Sequence, residues 1–150
     1  MDAITPKLPH DTVETHSHVV RPVEMEWKQT RFPGCEVKGL LLDRETGVVT
    51  ALMRLAPGAV LPDHEHVKIE QTYVLEGSLV DKEGPVAGLT VGPGEFVWRE
   101  PGSRHVAWCP EGGLMLAMFQ VPNKFFEQDG RVTDISGADW DSVWGHVFKD

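Results

Sequence analysis

The sequence lacks the features that mark membrane, secreted and nucleic-acid-binding proteins. It has no long unbroken apolar run and no basic-then-apolar N-terminus, so we expect neither a transmembrane helix nor a signal peptide. Its two cysteines, Cys35 and Cys109, form no CxxC pair, which predicts a protein without structural disulfides in a reducing cytoplasm. The formal net charge of -9 argues against nucleic acid or an anionic membrane as a partner.

Sustained helical periodicity is also scarce between the chain ends. The 15 glycines and 11 prolines fall between short apolar runs, which favours many strands joined by turns. The strand-like pattern begins with alternation over Val23–Trp27, and the runs Glu36–Leu42 and Val48–Leu55 flank a loop that ends in Gly47, a hairpin pattern. With 150 residues and 41% hydrophobic content, we predict one all-β domain, a sandwich, jelly roll or small barrel.

Both chain ends differ from this pattern. Residues 1–22 are polar and aperiodic and predict a flexible N-terminal arm, whose His16 and His18 we interpret as solvated side chains; residues 23–150 form the single domain. Near the C-terminus, a capping box precedes Trp140 and Trp144 at helical spacing, which predicts a short helix packed on the barrel or on a second subunit. Exposed strand edges and this helix together predict a homodimer.

Histidines and a carboxylate concentrate in the segment 57–77. His64 and His66 are two residues apart and so lie on one face of a strand. Glu70 begins the next apolar run, which we expect to be the second arm of a hairpin, so that its carboxylate joins the two imidazoles. His105, at the start of a later strand, is the candidate for a fourth ligand at the same end of the barrel.

Three imidazoles and one carboxylate predict a site for one divalent transition metal. This donor set suits Fe(II), Mn(II), Ni(II), Co(II), Cu(II) or Zn(II), and it suits Ca(II) or Mg(II) poorly. Because the set contains no thiolate, a closed structural zinc site is not expected. Four protein ligands leave two positions of an octahedral ion open, which is typical of a catalytic or sensing site.

The spacing of these residues resembles the cupin superfamily. Gly58, His64, His66, Glu70 and Gly77 match every position of the first cupin motif, and Gly94, Gly102 and His105 match the spacing of the second. Two positions of the second motif differ: its proline falls one residue later, and Cys109 replaces its closing asparagine. The resemblance implies a double-stranded β-helix, the cupin jelly-roll barrel, with core motifs at 58–77 and 94–109 and the metal inside the barrel.

Further segments resemble the ChrR-like group of cupins. They are residues 31–38, 43–47, 54–58, 74–78 and 101–103. That group includes the metal-binding domain of an anti-sigma factor and is related to acetylacetone dioxygenase, which holds iron with three histidines. The resemblance implies an oxidoreductase, a dioxygenase that uses Fe(II) by preference and acts with dioxygen on a small dicarbonyl, hydroxyketone or aromatic compound. Alternatives are a metal-containing sensing or binding module and a metal-dependent isomerase or hydrolase. The sequence contains no sigma-binding domain of the anti-sigma factor, so we do not expect an anti-sigma role.

Strand alternation suggests further residues that line the pocket. Thr72 shares the face of Glu70, and Ala107 and Cys109 share the face of His105. On the run 96–99, either Phe96 and Trp98 or Val97 and Arg99 face the interior, and we expect the two aromatic side chains to do so. No separate catalytic acid or base can be named. The sequence has no nucleophile-elbow, P-loop or dinucleotide-binding motif.

Overall fold

Short apolar runs separated by turns form thirteen β-strands in this computed structural model, which describes residues 3–5 and 17–135. The strands are β1 (Ala3–Ile4), β2 (Lys28–Gln29), β3 (Cys35–Asp43), β4 (Val48–Leu55), β5 (Ala59–His66), β6 (Glu70–Gly77), β7 (Leu79–Asp81), β8 (Thr90–Val91), β9 (Phe96–Arg99), β10 (Ser103–Cys109), β11 (Gly113–Gln120), β12 (Asn123–Phe126) and β13 (Val132–Ile135). The predicted all-β fold is confirmed. The predicted C-terminal helix with Trp140 and Trp144 lies outside the described residues, as does His16.

The strands pair into two antiparallel sheets. The first has the order β1-β3-β4-β11-β6-β9, with β2 also paired to β3, and the second has the order β13-β12-β5-β10-β7-β8. Strands β4 and β11 alternate between buried and more exposed residues, as expected where one face of a sheet packs on the core. The two sheets enclose the core between them, in the jelly-roll arrangement expected of a cupin barrel.

The hairpin between residues 36 and 55 is confirmed, but the one expected around Glu70 is wrong. Strands β3 and β4 pair directly, with Asp43 opposite Val48. Strand β5, however, pairs with β10 and β12 in the second sheet, while β6 pairs with β11 and β9 in the first. The connection at residues 67–69 therefore crosses from one sheet to the other, and Glu70 faces the histidines of β5 across the barrel.

A second difference lies at the start of the domain. The alternation of Val23–Trp27 predicted a strand, but the chain forms a 3-10 helix over Pro22–Glu24. Pro22 occupies the first helical position, where its fixed φ suits a helix and its missing N–H would be unpaired in any case. Thus one proline overrides a period-two pattern of five residues. No helix within residues 3–5 and 17–135 is long and apolar enough to cross a membrane.

Gly77, which ends β6, is a position where an added methyl group should be costly. Its φ is +71°, and a Cβ atom there would lie 2.0 Å from the backbone oxygen of Gly112. Gly58 is the matched control, because its φ is +81° but a Cβ atom would meet nothing within 4 Å. We expect Gly58→Ala to cost about 1 kcal/mol through backbone strain alone. Gly77→Ala should cost about 3 kcal/mol or more, because backbone must also move.

Urea unfolding of both chelator-treated variants measures this difference. Equal midpoints for Gly77→Ala and Gly58→Ala would show that the nearby backbone of Gly112 does not prevent a larger side chain at residue 77.

Candidate metal centre

Four side chains from three strands meet at one point inside the barrel. His64 and His66 extend from the end of β5, and His105, on β10, lies directly opposite His64 in the strand register. Glu70 begins β6 in the facing sheet. All four residues are buried, with exposed fractions of 2–9%. The structure thus brings together the four residues that the sequence predicted as metal ligands.

The distances between these side chains are short. One ligand atom from each of the four residues can be chosen so that all lie within 4.8 Å of one another. Nε2 of His66 lies 2.5 Å from Oε2 of Glu70 and 3.1 Å from Nε2 of His105. The ring centroids of His64 and His105 are 4.4 Å apart. Two imidazole nitrogens and a carboxylate oxygen therefore face a common point.

The outer nitrogens of two histidines are fixed by hydrogen bonds. Nδ1 of His64 lies 2.6 Å from the carbonyl oxygen of Pro62, which can only accept a hydrogen bond, so this nitrogen carries the proton. Nδ1 of His105 lies 3.0 Å from Oδ1 of Asp81 and donates in the same way. Nδ1 of His66 is buried without a partner. With Nδ1 protonated, the Nε2 lone pairs of His64 and His105 are free to bind a cation.

Burial and neighbouring charges set the protonation of the cluster. Burial, together with the nearby rings of His105 and His66, lowers the pKa of His64 to about 3, so this imidazole is neutral at physiological pH. Burial raises the pKa of Glu70, but the charge and hydrogen bond of His66 outweigh it, and the pKa lies below its usual range. His64 therefore offers a neutral nitrogen and Glu70 an ionised carboxylate, the forms that bind metal ions.

A buried ion pair supports the cluster from behind. The guanidinium of Arg99 donates two hydrogen bonds to Asp81, at 2.9 and 2.7 Å, and Asp81 is fully buried. Burial raises the pKa of Asp81, but hydrogen bonds from His105 and Arg99 outweigh it, and the pKa lies below its usual value. Nε of Arg99 lies 3.8 Å from Oε1 of Glu70, which also accepts a hydrogen bond from Thr72. Arg99 thus lies between Asp81, the partner of His105, and Glu70 of the cluster itself.

The donor set fits a divalent transition-metal ion. Lone pairs and a carboxylate that converge in a buried space are unfavourable unless a cation lies among them. Nitrogen ligands bind such ions at about 2.0–2.1 Å, so two of them at right angles lie about 3 Å apart. The 3.1 Å between Nε2 of His66 and Nε2 of His105 agrees with that spacing. Nitrogen and oxygen donors without a thiolate suit several first-row ions, so the chemistry of the set does not single out one metal.

The cluster opens on a small, largely apolar cavity of about 50 Å³. Besides the four residues of the cluster, its walls are Thr30, Phe32, Cys35, Met53, Leu61, Thr72, Leu79, Ala107, Met115, Ala117, Phe119, Asn123 and Phe125. Of the five side chains expected to line a pocket, Thr72 and Ala107 lie in these walls. Cys109 is fully buried in the core near them.

The expectation that Phe96 and Trp98 face the interior is wrong. Their exposed fractions are 53% and 55%, whereas Arg99 is 5% exposed and Val97 packs against the core. The strand register explains the difference, because Arg99 lies directly opposite Glu70 and directly opposed residues share a face. The aromatic side chains therefore lie on the outer surface of the first sheet.

The sequence pattern alone did not identify several residues that surround the cluster. Asp81 sits on a three-residue strand, too short to show which face is inward. Phe125 stacks on the ring of His64 at 5.0 Å and on Phe32 at 4.9 Å, and Asn123 lies opposite His66 in the register with its Oδ1 buried and unpartnered. Asn123 and Phe125 lie on β12, a strand that the sequence pattern did not predict and that pairs with β5.

Both cysteines should be unreactive in the native protein. Burial raises the pKa of Cys35 to about 11 and, with Cys35 beside it, that of Cys109 to about 12. Because the thiolate is the reactive form, each should be labelled by iodoacetamide at pH 8 at least about 100-fold more slowly than in urea. Mass spectrometry of timed samples measures both rates; fast labelling of either native thiol would contradict the burial of that side chain.

The chain matches a known family over most of its length. The model of the ChrR cupin-like domain family matches residues 15–124. A search of curated proteins finds no match to this sequence.

Solved structures share the fold at low sequence identity. An acetylacetone dioxygenase from Acinetobacter johnsonii superimposes with a TM-score of 0.76 at 19% identity, over 91% of this chain and 97% of that one. A protein from Methylibium petroleiphilum PM1, described as a putative acetylacetone dioxygenase, gives 0.70 at 22% identity, over 82% and 92%. The complex of SigE with the anti-sigma factor ChrR from Rhodobacter sphaeroides gives 0.53 at 22% identity, over 67% and 51%. At these identities the likeness shows the fold.

Proposed function

Because the chain belongs to the ChrR cupin-like domain family, we propose that it is a metal-dependent dioxygenase that acts on a small dicarbonyl, hydroxyketone or aromatic compound. The observation that carries this proposal is the buried group of three imidazoles and one carboxylate at the mouth of an apolar cavity. In a dioxygenase reaction both atoms of dioxygen enter the organic products, so the substrate is oxidised, dioxygen is reduced, and no separate reductant is needed.

Four residues would hold the metal ion in this proposal. They are His64, His66, Glu70 and His105, and Fe(II) is the favoured ion, with Zn, Mn, Ni, Co or Cu as the others that the donors suit. When bound, such an ion supplies Lewis-acid and redox chemistry to a chelating substrate and to dioxygen. Asp81 would keep the proton of His105 on Nδ1 and so keep its Nε2 directed at the ion.

The cavity walls favour a small substrate with an apolar skeleton. Met53, Met115, Phe119 and Phe125 present side chains without charge, and they would exclude water from the carbon skeleton of the substrate. Polar atoms of the substrate would instead lie toward the cluster, where the charged and hydrogen-bonding groups are. A short carbon chain that carries two carbonyl or hydroxyl groups close together satisfies both requirements.

A second candidate is a binding or sensing module that holds zinc. The family name and the structural likeness to the ChrR complex favour this alternative. The same four donors suit zinc. The two candidates differ in whether the bound ion turns over a substrate with dioxygen.

We propose further that residues 23–150 form one domain with residues 1–22 as an arm, and that the protein is a cytoplasmic homodimer. Within the arm, Ala3 and Ile4 pair with β3 at the edge of the first sheet, and the hydroxyl of Thr5 donates to the carbonyl of Leu40. Two buried free cysteines, Cys35 and Cys109, suit a reducing compartment. The formal net charge of -9 argues against nucleic acid or an anionic membrane as a partner.

Elemental analysis and oxygen uptake test the proposed activity. The untagged protein is purified, its bound metals are measured, and the iron-loaded form is mixed with a panel of β-diketones in an oxygen electrode cell. We expect close to one metal per chain and one dioxygen consumed per substrate lost. The control is His18→Ala, which removes an exposed histidine outside the cluster and should behave as wild type.

Two outcomes would distinguish the candidates. Stoichiometric zinc, with no uptake after iron loading, would exclude the dioxygenase and leave the sensing module. Less than one metal per ten chains after loading with each of the suitable ions would contradict both.

A further inference from the structure

The outer surface of the first sheet carries a group of large apolar side chains that none of residues 3–5 and 17–135 covers. Six of them lie on three neighbouring strands, and we call them the β9–β6–β11 face. They are Tyr73, Leu75, Phe96, Trp98, Leu116 and Met118, with exposed fractions of 42%, 42%, 53%, 55%, 38% and 37%. Single exposed hydrophobic residues are ordinary, but a group on one face of a sheet indicates an interaction surface.

The strand register shows that this face is continuous. Tyr73 lies directly opposite Phe96 on one side and Leu116 on the other. Two residues earlier on β6, Gln71 lies opposite Trp98 on one side and opposite Met118 on the other. Directly opposed side chains share a face at Cβ distances of about 4.5–5.5 Å, so these residues contact their neighbours across the strands. Tyr73 is therefore the centre of the group.

Charge is absent from the central part of this face. The opposed outward positions at its centre are Tyr73 with Phe96 and Leu116, and Gln71 with Trp98 and Met118. None of these carries an ionisable group other than the Tyr73 phenol, although 25% of the chain is Asp, Glu, Lys or Arg. Charged side chains such as Glu76 and Glu95 lie at its border and are exposed. An apolar centre with a polar border is the composition of a protein–protein interface.

The size of the face also suits a protein partner. Three half-exposed aromatic and three aliphatic side chains present on the order of 500 Å² of apolar surface. A stable interface buries about 800 Å² on each partner, with the most apolar part at its centre. The β9–β6–β11 face has the area of such a centre, and the border supplies the remainder.

A second copy of this chain is the partner that these observations favour. With a formal net charge of -9, two copies repel each other over most of their surfaces, and the uncharged face is where that repulsion is weakest. A sheet face can pack on an identical face about a twofold axis, which closes the assembly at two chains. We propose that the β9–β6–β11 face is the interface of a homodimer. This inference does not depend on the metal or on the activity.

Sedimentation velocity of the full chain tests the proposal over about 1–100 μM protein. We expect wild type to sediment as a dimer of twice 16.7 kDa. Tyr73→Lys places two like charges near the twofold axis and should weaken the dimer at least about 100-fold. The matched control is Val86→Lys, since Val86 has a similar exposed fraction of 44% but lies between β7 and β8. Val86→Lys should leave the dimer unchanged.

A second variant and a folding check keep the result interpretable. Trp98→Lys should also weaken the dimer, and near-UV circular dichroism reports whether each variant is folded. The double substitution Trp140→Lys/Trp144→Lys tests the C-terminal segment as the alternative source of the contact. A monomeric wild type would overturn the proposal. So would a dimer that survives both Tyr73→Lys and Trp98→Lys, or one that only the C-terminal double substitution dissociates.

Discussion

His105→Ala and His64→Ala should each lower the affinity for a divalent transition metal by at least about 100-fold. Each substitution removes one of four donors, and even the loss of a hydrogen-bond partner behind a metal ligand typically costs 10- to 100-fold in affinity. The two histidines are cross-strand neighbours in a buried space, so no solvent-exposed side chain can take the place of either. Competition of Co(II) or Zn(II) against a coloured chelator measures the affinity directly.

Thermal unfolding is a second test of the same prediction. An ion that binds only the folded chain increases the free energy of unfolding. The increase is about 2.7 kcal/mol when the ion concentration is 100 times the dissociation constant. Wild type and the control His18→Ala should therefore melt at a higher temperature with metal, and the two variants should not. Full metal occupancy in His64→Ala would refute the proposed ligand set.

Asp81→Leu should destabilise the chelator-treated protein by about 3–5 kcal/mol, because it leaves the buried guanidinium of Arg99 without its carboxylate. The loss should be recovered in large part by Asp81→Leu/Arg99→Met, since an apolar pair of similar volume removes both charges together. Urea unfolding at pH 7 of wild type, Asp81→Leu, Arg99→Met and the double variant gives the coupling between the two residues.

The pair formed by Asp63 and Arg104 is a matched control for burial. It has the same two parallel hydrogen bonds, at 2.9 and 2.6 Å, but its side chains are 36% and 50% exposed. Because solvent screens exposed pairs, Asp63→Leu should cost far less than Asp81→Leu. Equal losses at the two positions would show that the burial of the Asp81–Arg99 pair is not what makes it important.

Local alternation was enough to place the cluster residues on strands, but not to place the strands in their sheets. Two histidines separated by one residue must share a face, and their positions on β5 follow from that alone. The position of Glu70 across the barrel depends on β5 and β6 joining different sheets, and nothing in residues 67–69 specifies that crossing. The resemblance to cupins supplied the architecture that local pattern could not.

The misplacement of Phe96 and Trp98 has the same origin. Period-two alternation defines two faces for β9, and hydrophobicity favoured the wrong one because the aromatic residues lie on an outer surface. The pairing of Arg99 opposite Glu70 decides the orientation, and that pairing is a property of the sheet. The charged side chain of Arg99 can point into the barrel because it forms an ion pair with Asp81 of the facing sheet.

The outer nitrogens of the three histidines contact different groups, and this makes the donors unequal. His105 donates to a carboxylate and His64 to a backbone carbonyl, whereas Nδ1 of His66 has no partner. An anionic partner makes an imidazole a stronger base toward a metal than a neutral partner does. If the four residues bind one ion as proposed, the ion would be held most firmly on the side of β10. His66, whose ring no hydrogen bond supports from behind, would hold the ion least firmly.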